Sequence, residues 1–134
     1  MPQRLTLTAL LVRDYAEAID FYVRKVGFEL RSDVDQGGGK RWVVVGPPGG
    51  GAGLLLAKSA NSRGVGEQGA GRVFLFLETD NFARDHSRMQ EAGVGFLEKP
   101  RHEAYGTVAV FEDLYGNRWD LIEPTKSWSA IRSD

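Results

Sequence analysis

The chain has 134 residues, 42% of them hydrophobic, which is enough for one core and too little for two independent domains of ordinary size. Lys and Arg number 17 against 18 for Asp and Glu, and the resulting net charge of -1 provides no field that would gather nucleic acid or an anionic membrane surface. Cysteine is absent, so disulfide and thiolate chemistry are excluded. The N-terminus (Met1, Pro2, Gln3, Arg4) lacks the apolar stretch of a signal peptide and no run approaches the roughly twenty apolar residues of a bilayer span, so a soluble cytoplasmic protein is expected.

Residues 5–12 form a β-type run that stops at Asp14, and Glu17 three positions later completes the spacing of a capping box, which predicts a helix start. Tyr15, Ile19, Tyr22 and Val26 recur at helical spacing until Gly27 supplies the stop. Three strand-like segments follow at 28–33, 40–45 and 54–58, separated by the glycine clusters 37–39 and 49–53. The order is β, α, β, β, β.

The second half repeats it. Residues 72–77 read as a strand, Asp80 or Asn81 can cap a helix carrying Phe82, Met89 and Ala92 that ends at Gly93, and strands are predicted at 94–99, 107–112 and 118–123. Asp14 and Asp80, Gly27 and Gly93, and Trp42 and Val108 each stand 66 positions apart, the mark of an internal duplication. One domain over 1–134 is therefore expected, with a first βαβββ unit at 5–58, a polar, glycine-rich linker or lid at 59–71, a second unit at 72–123 and a tail at 124–134. In the tail, Trp128 and Ile131 offer docking groups for the body or for a second subunit.

Specific words carry a resemblance to a known superfamily. Val12-Arg13-Asp14 with Ala18-Ile19-Asp20-Phe21-Tyr22 and Gly27-Phe28 resembles the first helix, and the segment from Phe111 through Gly116-Asn117 to Glu123 resembles the last hairpin, of the vicinal oxygen chelate proteins: glyoxalases, bleomycin-resistance proteins and extradiol dioxygenases. The resemblance implies an α+β fold of tandem βαβββ repeats forming a curved, partly open mixed sheet around a pocket, and it implies a homodimer. Fold alone does not choose among that superfamily's chemistries.

Enzymes of the superfamily hold a divalent metal through the first and last strands of each half. Those positions here fall on Leu7, on Leu54 or Leu55, on Arg72 or Phe74, and on Asp120. Only Asp120 offers a donor, and about three or more are needed, so the metal site is expected to be lost and no cofactor is expected. His86 falls in the second helix, where an ordinary helix position explains it. His102 stands with Glu103 and Tyr105 before a strand, where a loop would overhang the pocket.

Alternate residues of the inner strands point into the concave face, to within one residue of strand phase. The expected ligand-binding set is Trp42, Leu55, Arg72, Phe74, His102, Tyr105, Trp119 and Asp120, suited to a small amphipathic organic molecule whose anionic group pairs with the arginine. Each aromatic taken singly is equally explained as core. Asp120 is the one catalytic candidate, a general base if desolvation raises its pKa, with Arg72 pulling the other way; Glu123 in the same strand offers a second carboxylate. No Ser-His-Asp or Cys-His set can be built, and the glycine-rich stretches lack the lysine and helix of a phosphate loop. Three functions follow as expectations. The first is a metal-free binding protein for antibiotics or other toxic amphiphiles. The second is a glyoxalase-type lyase or isomerase, either metal-independent or holding a divalent metal through non-standard ligands. The third is a closed-pocket protein with a protein partner.

Overall fold

The computed structural model describes residues 2–126, and the positions of Trp128 and Ile131 lie outside the described residues. The chain divides into two compact units, with the boundary between Gln68 and Gly69, inside the predicted linker.

In unit 1, strand β1 (Leu7–Val12) leads through Asp14 into helix α1 (Tyr15–Ile19). The Asp14 carboxylate accepts the Glu17 N–H at 3.0 Å, taking one of the amides a helix start leaves unpaired. From Asp20 to Val26 the helix widens to i→i+5 winding, and Gly27 closes it at φ 100°, a conformation that favours glycine. Strands β2 (Glu29–Gly37), β3 (Lys40–Gly46) and β4 (Gly53–Lys58) complete a mixed sheet of order β1-β4-β3-β2, with β1 and β4 parallel. One sheet face carries Leu10, Val12, Val43, Val45, Leu54 and Leu56, all buried with Tyr22 and Val26 of the helix. Burying each such side chain contributes about 1.5–3 kcal/mol. The opposite face carries Val34, Trp42, Val44 and Leu55, of which Val34 and Trp42 are exposed.

The segment predicted as a flexible linker or lid folds back on its own unit. The Gln68 side chain accepts the Leu11 N–H at 2.7 Å and donates to the Ala9 carbonyl at 3.0 Å, so one carboxamide serves the free edge of β1 as a neighbouring strand would.

Unit 2 has the same connectivity. Strand β5 (Val73–Glu78), helix α2 (Phe82–Glu91) and strands β6 (Gly95–Phe96), β7 (Arg101–Glu103), β8 (Gly106–Glu112) and β9 (Arg118–Pro124) form a five-stranded sheet in which β5, β9, β8 and β6 are successive neighbours and β7 also pairs with β8. The strand predicted over 94–99 is therefore shortened to Gly95–Phe96, with β7 a separate strand beyond it, and at Glu98 a side-chain oxygen, Oε2, accepts the Val110 N–H at 3.0 Å in place of a ladder partner. The cap of α2 is Asn81, whose side chain accepts the Arg84 N–H, while Asp80 pairs with the Arg84 guanidinium. The repeat spacing thus shifts by one: Gly27 stands 13 positions after its cap, Gly93 stands 12 after Asn81, and the widened turn of the first helix absorbs the extra residue. The last hairpin is pinned by buried Asp113, which accepts from Asn117 N and Asn117 Nδ2, each at 2.9 Å, with Gly116 at φ 88° in the turn between them.

Candidate ligand-binding groove

The two inner strands of unit 1 stay together over only three residue pairs, Val43 with Leu56, Val44 with Leu55 and Val45 with Leu54. Beyond them, β3 continues with β2 as far as Gly37 and Lys40, and β4 continues with β1 as far as Val12 and Lys58. The sheet therefore forks. Residues 40–42 and 57–59 would be the next partners in register and do not pair with one another. The fork is propped from the helix side by Tyr15, whose hydroxyl accepts the Arg41 N–H at 3.2 Å, a bond that a longer β3–β4 ladder would have supplied.

The fork opens into a groove of about 690 Å³, within the size range of small-molecule sites. Its apolar lining includes the Tyr15 ring, Trp42 and Leu55, and its polar lining includes Lys40, Arg41 and Lys58. Three cations line the groove and no carboxylate does. Arg41 is held in place, its Nε and Nη2 donating to the two oxygens of Asp33 at 3.1 and 2.6 Å and its guanidinium lying 5.2 Å from the Tyr15 ring centroid. The Asp33 hydrogen bonds hold the Arg41 pKa above its ordinary value. No described carboxylate pairs with Lys40 or Lys58.

Of the residues singled out from the sequence, Trp42 and Leu55 line this groove. Arg72, Phe74, His102, Tyr105, Trp119 and Asp120 belong to unit 2 and are not brought together as a set. Trp119 is core: it is 3% exposed, stacks on Phe111 at 5.7 Å, and continues an aromatic row through Phe96 and His86 to Phe82 on α2. His86 is thus a helix residue packed between two rings, its Nε2 buried and its pKa lowered by desolvation. His102 lies in β7, where a short strand replaces the predicted overhanging loop, and its exposed ring meets Thr107 at 3.3 Å. Tyr105 sits exposed in the β7–β8 turn, and Arg72 is exposed ahead of β5.

Asp120 follows Trp119 and so points to the other face of the sheet, where one carboxylate oxygen is buried without a hydrogen-bond partner. Burial pushes its pKa up, Arg101 opposes and Glu98 reinforces the rise. The counter-cation is therefore Arg101, which sits in β7 and bonds Glu98 at 2.9 Å, in place of the expected Arg72. Glu123 gives no second carboxylate beside Asp120: an odd number of positions along the strand puts it on the helix face, where its Oε1 accepts the Phe82 N–H at 2.7 Å and caps α2.

Sequence reasoning placed Tyr15 on the buried helix face and did not single out Lys40, Arg41 or Lys58. The groove depends on a hydroxyl reaching a backbone amide 26 positions away, and no local pattern signals such a contact. A divalent metal does not fit the residues present. The four superfamily positions offer one oxygen donor, and among the described residues no group of three His, Cys, Asp or Glu converges.

The chain thus repeats a mixed βαβββ sheet, with an aromatic and cationic groove beside the first of the two. The family model of the Glyoxalase/Bleomycin resistance protein/Dioxygenase superfamily matches residues 4–121, and the chain belongs to that superfamily. An uncharacterized protein of Shewanella frigidimarina (strain NCIMB 400) is 54% identical over 128 residues, covering 92% of this chain and 95% of that protein. Two solved structures from Streptomyces sp. CB03234 are similar over nearly their full length. TnmS3, described as an antibiotic binding protein, has a TM-score of 0.78 at 33% identity, covering 92% of this chain and 98% of that one. A glyoxalase/bleomycin resistance protein has a TM-score of 0.74 at 34% identity, covering 89% and 99%.

Proposed function

We propose that this protein binds a small amphipathic organic molecule in the unit 1 groove, as a metal-free binding protein of the bleomycin-resistance type. The observation that carries the reading is the fork: three ladder pairs are followed by an open, ring-lined space that a closed ladder would have filled. The missing metal donors and the antibiotic-binding description of TnmS3 support it. The test is a thermal-shift screen of aromatic amphiphiles, including polycyclic antibiotics, with elemental analysis of the dialysed protein. The reading expects concentration-dependent stabilisation that Trp42→Ala weakens at least tenfold, with metal far below one equivalent; stoichiometric metal or hits indifferent to Trp42 would overturn it.

A second reading has its own observation. Asp120, with a buried unpartnered oxygen and a raised pKa, is the group a metal-independent lyase or isomerase of glyoxalase type would use as an acid or base. Turnover of a glutathione hemithioacetal, abolished in Asp120→Asn, would establish it, and no turnover with or without divalent ions would end it. We also infer a homodimer, because Val34, Trp42, Phe76 and Leu97 are large apolar side chains left exposed on the single chain. A monomer at high concentration in sedimentation equilibrium would refute that.

A further inference from the structure

We infer that the groove selects a planar aromatic anion, its acidic group received by Lys40, Lys58 and the Tyr15 hydroxyl and its ring by Trp42. This rests on the reading above that the groove is the ligand site, and adds the chemical class that the site takes.

The charge argument comes first. The chain as a whole is close to neutral, at -1, yet its groove is lined by three cations and no carboxylate. Asp33 already offsets Arg41 through two hydrogen bonds, so Arg41 serves to hold the wall. Lys40 and Lys58 have no carboxylate partner among the described residues, and they stand at the ends of the two diverging strands. A cationic ligand would add to this excess, and an anionic one would offset it.

The Tyr15 hydroxyl supplies direction. It is buried, lines the groove, and accepts the Arg41 N–H, which occupies one lone pair. Among the described residues no acceptor takes its own proton. A phenol so placed has one donor left to give, on the groove side of the fork, and an anionic oxygen is the strongest acceptor for it. The ring argument is geometric. Trp42 shares its sheet face with Val34, Val44 and Leu55, so a flat hydrocarbon laid against the indole covers apolar surface that is now open to solvent.

The second unit shows that this is a feature of unit 1 and not of the repeat. There β8 and β9 pair without interruption from Gly106 with Pro124 to Glu112 with Arg118, and Thr107 faces Glu123 where in unit 1 Arg41 and Lys58 do not pair with each other. The residue after the helix cap is Phe82, which has no hydroxyl to insert.

The test uses naphthoate and its neutral amide as probes, with calorimetric titration of the full chain. Naphthoate is expected to bind at least tenfold more tightly than naphthamide at about 0.02 M salt, with the difference shrinking at about 0.5 M as charge is screened. In the Lys40→Gln/Lys58→Gln protein the two affinities should fall within about twofold of one another, with the amide unchanged, since both lysines are exposed and their loss leaves the core alone. Lys99→Gln in unit 2 is the control and should leave the ratio intact. Tyr15→Phe should cost naphthoate a further several-fold relative to the amide. Equal binding of both probes, weakened alike by Trp42→Ala, would overturn the anion selectivity and leave the groove as the ligand site. Binding of neither probe, or binding indifferent to Trp42 and to the lysines, would overturn both readings.

Discussion

The two units share the βαβββ connectivity, and one end of one ladder is open in unit 1 and closed in unit 2. In unit 2 the ladder closes because β8 begins with Gly106, where a Cβ would collide with the Glu123 carbonyl, and because Glu123 turns to cap α2. In unit 1 the matching strand begins with Lys40, the matching β4 residue is Lys58, and the first helical residue is a tyrosine whose hydroxyl takes the amide the ladder gives up. At these ends the units differ by a side chain in place of a hydrogen, Lys40 against Gly106, and by a hydroxyl, Tyr15 against Phe82. The faces differ as well: the position next to the core residue is Leu55 in β4 and Asp120 in β9, so unit 1 offers apolar surface where unit 2 holds a desolvated carboxylate.

The cores should prove equivalent although the groove ends are not. Leu56→Ala in β4 and Leu121→Ala in β9 each empty a fully buried site on the helix face, and each should cost about 2–5 kcal/mol in denaturant unfolding. A loss under about 1 kcal/mol at either would show that its unit is not packed as described. The ladder ends should separate the units next. Gly106→Ala should cost about 1–3 kcal/mol through collision with β9. Lys40→Ala at the matching position should stay within about 0.5 kcal/mol. Equal effects would remove the explanation given for the fork. At the helix starts the units should again agree, Asp14→Ala and Asn81→Ala each costing about 1 kcal/mol through a lost cap.

The smallest effects are those of pH, through His86 and Asp120 of unit 2. Burial lowers the His86 pKa below 6.5, so its neutral form is favoured in the fold; stability is retained above that value and lost as pH falls below it toward the folded pKa. Asp120 acts with the opposite sign. Its pKa is raised from 3.8, so the folded chain holds the proton more tightly, and stability falls as pH rises from 3.8 through the folded value. Asp120→Leu, which gives β9 the residue β4 has, should therefore stabilise the protein at pH 8 by more than at pH 4. His86→Phe should flatten the loss between pH 7 and pH 5. Denaturation midpoints across that range check both, and no change of slope in either variant would remove the assigned burial as the cause.

Much of this was legible in the chain. Asp14, Gly27 and Gly93 marked helix ends because caps and left-handed stops are local physics, satisfied within a few residues. The superfamily words around Phe21 and Gly116 placed both ends of the fold for the same reason: each is a short-range device, the last of them an Asp113–Asn117 clasp. The single strand expected over 94–99 failed where a side chain, Glu98, replaced a backbone partner. Trp119 looked like a pocket residue because its strand phase was uncertain by one position, and one position decides which face a side chain takes.

The sequence by itself determined the connectivity, the duplication, the helix caps and the scarcity of metal donors, since each rests on residue type or on spacing within one element. Only the tertiary structure decided where the ladder of unit 1 stops, that Tyr15 meets Arg41, that Arg101 and not Arg72 faces Asp120, and that Gln68 completes the edge of β1. These are contacts between groups far apart in the chain, fixed by how strands twist and helices settle onto them, and periodicity carries no record of them.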